Sequence, residues 1–172
     1  MIDRVLIDTL NLRAGDFAIR WKDSIRKNPQ LYHFNEMDDA TLIQEDSKFY
    51  PLLARTLDRG LDRSLVGNFF VTMGKEKMKN GFPISEVIFA LNLEQKAVIE
   101  YLMTEFAPEN PMRMYQSMGA LTSVAEFCLL ASFYISKGFL EETYTSMSSS
   151  NDISEELLKK YFKDDFFFKK AE

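Results

Sequence analysis

The stretch Met112–Phe139, MRMYQSMGALTSVAEFCLLASFYISKGF, carries a single charge between Met114 and Ser136, that of Glu126. Small and apolar residues recur in it at alternating steps of four and three, which predicts a helix with a buried face. A second stripe runs beside the first, so much of the circumference is apolar, as in a central or interface helix. We expect the other helices to pack on it. The stripes are Met114, Met118, Leu121, Ala125, Cys128, Ser132, Ile135 and Phe139, and Ala120, Val124, Phe127, Ala131 and Tyr134.

A membrane-spanning helix is the competing interpretation of this stretch. A span needs about 20 predominantly apolar residues, whereas Gln116, Thr122 and Glu126 are among several polar residues here that are costly in hydrocarbon. The N-terminus interleaves acidic with apolar residues and lacks the continuous apolar core of a signal peptide. We therefore expect a cytoplasmic protein that does not enter the membrane.

Length and composition favour one globular domain. A chain of 172 residues is long enough to bury a substantial core, and 15 Phe and 9 Met make that core bulky and adaptable. A net charge of −5 argues against nucleic acid as a partner, because phosphate binding needs a dense basic face. One cysteine excludes an internal disulfide and a cysteine-based metal cage.

Outward from the central stretch, periodic apolar residues predict helices at about 2–27, 38–60, 62–79, 86–106 and from 152 onward. Pro51 is expected to kink or split the second of these. Asp38–Asp39 and Ser85 are candidate N-caps, and Gly60 is a candidate helix end. We predict an all-α bundle of about six helices, with residues 1–145 as one domain. Residues 146–172 are expected to form a flexible linker and a last helix, which belongs to the same domain or serves signalling or dimerisation.

The sequence offers few groups for catalysis. His33 has no partner at a known catalytic spacing and is expected to be a surface loop residue. Cys128 lies in the buried stripe and should behave as a small hydrophobic residue. Glu126 lies either on a half-exposed polar edge of the central helix or is a buried carboxylate that senses a ligand. Because phosphate-binding loops, zinc-protease motifs and nucleophile elbows are also missing, we expect a protein that is not an enzyme and needs no metal.

Three segments of the predicted helices share their pattern with a known protein family. Trp21 late in the first helix, Leu65-Val66-x-x-Phe69-Phe70 in the third, and the turn Gly81-Phe82-Pro83-Ile84-Ser85-Glu86-Val87 are similar to the N-terminal domains of RsbT co-antagonist (RsbR-type) proteins. The likeness covers about residues 2–144. It implies a globin-like fold without haem, and a dimeric bacterial stress-response sensor whose last helix passes a signal to a C-terminal effector or a partner protein.

The residues agree with the absence of haem. A haem globin needs an axial histidine on the helix after the third, and this chain has no histidine there, since His33 precedes the second helix. We expect no cofactor. The runner-up to a signalling module is a binding protein for a fatty acid or another small apolar ligand, and an enzyme of unrecognised type comes third.

Two groups of residues are candidates for sites. If an apolar pocket exists, it should lie among the third, fourth and fifth helices, lined by Phe69, Phe70, Met73, Val87, Leu91, Met118, Leu121 and Phe127. A homodimer should form through the central helix, the last helix or both, with Met114, Ala125, Cys128, Ile135, Phe162 and Phe166 as interface candidates. The rival to the dimer is that the last helix folds back and covers the central helix within one subunit.

Overall fold

The computed structural model describes residues 4–106 and 110–150, together with Ser154 and Glu156. These residues form α-helices without any strand, which confirms the predicted all-α class. The predicted last helix, including Phe162 and Phe166, lies outside the described residues. The helices are α1 (Arg4–Leu12), α2 (Ala14–Arg26), α3 (Tyr32–Glu36), α4 (Asp39–Asp46), α5 (Phe49–Arg59), α6 (Arg63–Lys79), α7 (Ile84–Tyr101) and α8 (Pro111–Ser148), and a π-helical turn (Leu102–Phe106) follows α7.

The predicted first helix is two helices. The chain bends at Arg13 (φ −109°, ψ 21°), so that α1 packs on α5 while α2 packs on α4 and α7. Backbone hydrogen bonds from Arg13 N to Thr9 O (2.9 Å) and from Phe17 N to Arg13 O (3.1 Å) continue across the bend. The apolar periodicity therefore continues across the bend. Its residues on both sides are buried, namely Leu6, Leu10, Phe17, Trp21 and Ile25.

Several predicted helix ends are confirmed by their local chemistry. The Asp38 carboxylate accepts a hydrogen bond from Thr41 N (2.9 Å) at the start of α4, and Gly60, with φ +84°, ends α5. Pro51 is the third residue of α5, where its missing N–H would have had no intrahelical partner. The predicted second helix is therefore split, as one of the two expectations for Pro51 required.

Three other boundaries were predicted wrongly. Ser85 does not cap α7, because Pro83 is already in an extended conformation and the helix begins at Ile84. The segment between the predicted first and second helices, where His33 was expected in a loop, contains α3. Residues 146–148, expected as flexible linker, belong to α8, in which the Thr143 and Ser148 hydroxyls donate to the carbonyls four residues earlier (both 2.7 Å).

Helix α8 is central, as predicted, and packs most extensively on α6. The two backbones meet at glycines: a Cβ on Gly74 would strike the carbonyl oxygen of Ile135, and a Cβ on Gly138 would strike that of Val71. Lys75 of α6 also forms an ion pair with the buried Glu141 of α8 (Nζ to Oε2, 2.6 Å). The crossing of α6 and α8 is thus fixed by direct backbone contact.

Candidate functional site

Two carboxyl groups are buried side by side between α4 and α7. Asp46, at the end of α4, is 4% exposed, and Glu94, in the middle of α7, is 7% exposed. The phenol of Tyr50, fully buried on α5, lies beside them. Among the described residues, no N–H group donates to either oxygen of the Asp46 carboxyl, and the only side chains close enough to hydrogen-bond it are those of Glu94 and Tyr50. Buried polar groups are normally hydrogen-bonded, so this cluster is exceptional in an otherwise well-satisfied core.

Burial shifts the titration of the cluster. Desolvation raises the pKa of Asp46 to about 6, because the ionised form loses its hydration. The pKa of Glu94 is raised well above its usual value by desolvation and by the neighbouring Asp46 charge. The pKa of Tyr50 is raised for the same reasons. At neutral pH the two carboxyls therefore hold one proton between them, and the pair carries one negative charge.

Lys77, 8% exposed on α6, is the nearest buried cation, but its charge is already paired. Its Nζ donates to Oε2 of Glu45 (2.7 Å) and lies over the rings of Phe34 (4.9 Å) and Phe82 (4.4 Å). It lowers the pKa of Glu94 only slightly against the larger causes that raise it. The carboxyl pair is therefore not neutralised by a salt bridge.

The carboxyl pair lines a small, partly open cavity of about 40 Å³, called the internal cavity because most of its lining residues are buried. A cavity needs roughly 10–15 Å³ of such space to hold one water molecule, so this one has room for a compact polar group. Apart from Glu45 and Lys77, its other walls are apolar or aromatic. They include Trp21, Phe34, Met73, Val87, Leu91 and Ile135.

A larger groove of about 450 Å³ opens on the outer side of α6. Leu65, Phe69 and Met73 form its apolar floor, with polar residues such as Asn68 and Asn80 around them. The groove and the internal cavity share Glu45, Met73 and Lys77 as a common wall. Only side chains therefore separate the carboxyl pair from the outer groove.

His33 is not the free surface loop residue that the sequence predicted. It lies in α3, where its Nδ1 is 2.8 Å from Oε1 of Glu86 and its backbone N–H donates to Oε2 (3.0 Å). Glu86 is 8% exposed and belongs to the first turn of α7. The contact fixes α3 to the start of α7, so its role is structural.

The structure places the predicted pocket residues in four settings: the internal cavity, the outer groove, the closed core and the exposed surface. Val87, Leu91 and Met73 line the internal cavity, and Phe69 lines the outer groove together with Met73. Phe70 and Phe127 are fully buried in ring-to-ring contact with each other (5.6 Å between centroids), and Leu121 packs at the edge of the core. Met118 is 62% exposed, so its prediction as a pocket residue was wrong.

The predicted interface residues divide into accessible and buried ones. Met114 is 61% exposed and Ala125 is half-buried, whereas Cys128 and Ile135 lie in the core of the subunit, out of reach of a second copy. Glu126 is exposed, which matches the polar-edge alternative and contradicts the buried one. The exposed apolar face of α8 instead consists of Met112, Met114, Tyr115, Met118, Leu129, Phe133 and Leu140.

The sequence contained an unused signal for the carboxyl pair. Glu94 follows Val87 and Leu91 and precedes Val98 at helical steps of four, three and four, so it lies in the apolar stripe of α7. Asp46 has the same place in α4, four residues after the buried Leu42. A charged residue inside a buried register is rare unless it is paired. Counting charges within each stripe would have found both residues.

No family model, curated protein or solved structure matches this chain. Within the described ranges, no three His, Cys, Asp or Glu side chains are grouped so that they could hold a metal ion. By length and composition α8 could cross a membrane, a property that core helices of soluble proteins share. The site is therefore interpreted from its own geometry.

The carboxyl pair should make the stability of the protein depend on pH. A carboxyl whose pKa is higher in the folded than in the unfolded state gives a stabilisation that is full below the unfolded pKa of about 4 and is lost as pH rises through the folded value. With a folded pKa of about 6 for Asp46, we expect unfolding to cost about 1 to 2 kcal/mol more at pH 5 than at pH 8. Urea titrations at both pH values measure the difference.

The Asp46→Asn variant provides the test of cause. It should lose the part of this pH difference that Asp46 contributes, while Glu94, whose pKa is raised first by desolvation, keeps a part of its own. Asp8→Asn, an exposed position on α1, should retain the whole difference. An equal pH difference in the wild type and in Asp46→Asn would show that other groups produce it.

Proposed function

We propose that this protein is a non-catalytic sensory input module that dimerises through α8 and transmits its signal by helix packing. The observation that carries the proposal is the exposed apolar face of α8, which presents seven large apolar side chains to solvent. These side chains lie in two segments, 112–118 and 129–140, with the exposed Thr122 and Glu126 between them. Large exposed apolar side chains grouped on one helix mark a protein interaction site. A second copy of the chain is the occupant we propose, because a helix face that meets itself across a twofold axis needs no other partner.

A path from the groove to this face supports the transmission step. The groove lies on one side of α6, and the backbone of α6 touches that of α8 at Gly74 and Gly138 on the other side. Any ligand that shifts α6 must therefore shift α8, since no side chain lies between the backbones to absorb the movement. The α8 face would carry that shift into the dimer.

The remaining parts of the proposal rest on the resemblance to the RsbR-type domains. These are the globin-like, haem-free character of the bundle, the role in bacterial stress signalling and the delivery of the signal to an effector domain or partner protein; the cytoplasmic location is instead an expectation from the sequence pattern itself. An absorbance spectrum of protein purified from haem-supplemented cells tests the first of them, and a retained Soret band would contradict it.

The dimer itself is tested by sedimentation equilibrium at micromolar concentration. We expect twice the subunit mass of 20.0 kDa, and we expect the Leu129→Glu, Phe133→Glu double variant to be monomeric, because two charges would have to be buried in the interface. Leu12→Glu is the matched control, since Leu12 is an equally apolar residue that is 86% exposed on a different helix, α1.

A wild-type mass of 20 kDa would contradict the dimer. If removal of residues 152–172 then produced a dimer, the last segment would be the group that covers α8 within one subunit. A dimer that survives the double variant would lie on another surface.

The outer groove supports a second candidate, the binding of a small apolar ligand. Its volume of about 450 Å³ and its floor of Leu65, Phe69 and Met73 suit an acyl or alkyl chain. Mass spectrometry of denatured protein tests it directly. A co-purified chain at full occupancy would favour this function, and its absence would leave a module that responds to protein partners alone.

A further inference from the structure

The internal cavity needs an occupant that donates hydrogen bonds. Asp46 and Glu94 both line the cavity, and the only side chains that hydrogen-bond Asp46 are Glu94, through the shared proton, and Tyr50. These two donors cover only part of the acceptor capacity of two carboxyl groups, and an unfilled buried acceptor is costly, so the group that fills this space should bring N–H or O–H donors. Water satisfies this requirement only in part, because it leaves the negative charge of the pair uncompensated.

The charge of the site selects a cation. The carboxyl pair retains a net negative charge, and the charge of Lys77 is taken up by Glu45 at 2.7 Å. A fatty-acid carboxylate is therefore repelled from the cavity.

The size of the site selects among cations. About 40 Å³ accommodates a compact head group, and an ammonium group offers three donors in that space. A quaternary ammonium has no donor, and a guanidinium is a wider planar group. The primary ammonium is the group that matches charge, donor number and size together.

We propose that the cavity binds the head of a primary alkylammonium compound between Asp46 and Glu94, with the alkyl chain passing Met73 into the outer groove. The shared wall of Glu45, Met73 and Lys77 makes this path short, and methionine is the most adaptable apolar side chain to yield to it. The inference rests on the proposed function only in treating the ligand as the sensor's signal. The binding site is tested independently of the dimer.

Binding of the ammonium head displaces the proton that the carboxyl pair holds. Before binding, the carboxyl pair holds one proton. When the ammonium head enters, that proton leaves to solvent and both carboxylates accept N–H bonds from the ligand, while the ligand keeps all its own protons. Affinity should therefore rise up to tenfold for each unit of pH increase, as long as the pair still holds its proton in the free protein.

The experiment is isothermal titration calorimetry of the full chain with hexylammonium chloride at constant ionic strength. We expect saturable binding with one site per chain, and heats that differ between buffers of different ionisation enthalpy because a proton is released. Hexanoate and tetramethylammonium should not bind. Glu94→Gln should weaken hexylammonium binding at least tenfold.

Glu100→Gln is the matched control, because Glu100 is an exposed glutamate on the same helix, and it should bind like the wild type. Circular dichroism confirms that both variants are folded. Absence of hexylammonium binding, equal binding of hexanoate, or unchanged binding by Glu94→Gln would each overturn the inference. A dimer found together with no amine binding would refute this site and leave the proposed function standing.

Discussion

The Phe70→Ala variant should lose about 3 to 5 kcal/mol of unfolding free energy, the range typical of truncating a buried phenylalanine. Phe70 has no exposed surface, and its ring contacts those of Phe69, Phe49 and Phe127 at centroid distances of 5.0, 6.4 and 5.6 Å. Truncation leaves a cavity that these large rings cannot collapse to fill. Urea unfolding followed by circular dichroism at pH 7 measures the loss.

Leu12→Ala is the control, because Leu12 is 86% exposed and its truncation should change stability by about 0.5 kcal/mol or less. A loss below about 1 kcal/mol for Phe70→Ala would mean that its ring merely lines an open space. That result would favour an open, ligand-accessible space around Phe70.

Gly74→Ala and Gly138→Ala should each cost about 3 kcal/mol or more, at the upper end of the range for overpacking. In each variant the new methyl group meets a backbone carbonyl of the opposite helix, and a backbone cannot rotate away as a side chain can. The helices must separate, which also strains the ion pair of Lys75 with Glu141. Thermal and urea unfolding measure the effect.

Gly15→Ala separates this contact from the general effect of replacing a helical glycine. Gly15 lies in α2, where an added methyl group would meet no atom within 4 Å, so the substitution should stabilise the protein by about 0.5 to 1 kcal/mol. If Gly74→Ala or Gly138→Ala were as stable as the wild type, α6 and α8 would not touch through their backbones.

Helix positions could be predicted largely because local chemistry determines them. Asp38 and Asp62 cap the starts of α4 and α6 with their side-chain oxygens, and Gly60 ends α5 by adopting a positive φ. Such signals can be read from neighbouring residues alone. The bend at Arg13 could not be predicted in this way. It carries no proline, keeps its hydrogen bonds and arises because α1 and α2 pack on different helices.

The candidate site was harder to predict than the fold. Periodicity identified Val87 and Leu91 as buried, and both line the cavity. The same register contains Glu94, but Glu126 is the carboxylate most isolated among apolar neighbours in the sequence, so local pattern points to the exposed glutamate and not to the buried one. The pairing of Glu94 with Asp46 joins residues 48 positions apart in the chain, and only tertiary packing brings them together.

The rate at which the chain's single cysteine is alkylated should report how often this core opens. Cys128 is 3% exposed, and burial together with the charge of Glu94 raises the pKa of its thiol far above the usual value. Alkylating reagents attack the thiolate, so they should react only when the helices around Cys128 separate transiently and expose the thiol to solvent. The labelling rate of the unmodified protein therefore counts these openings. Any molecule that stabilises the closed core should lower the labelling rate of Cys128 in proportion to its binding. The measurement needs neither a mutation nor an attached probe.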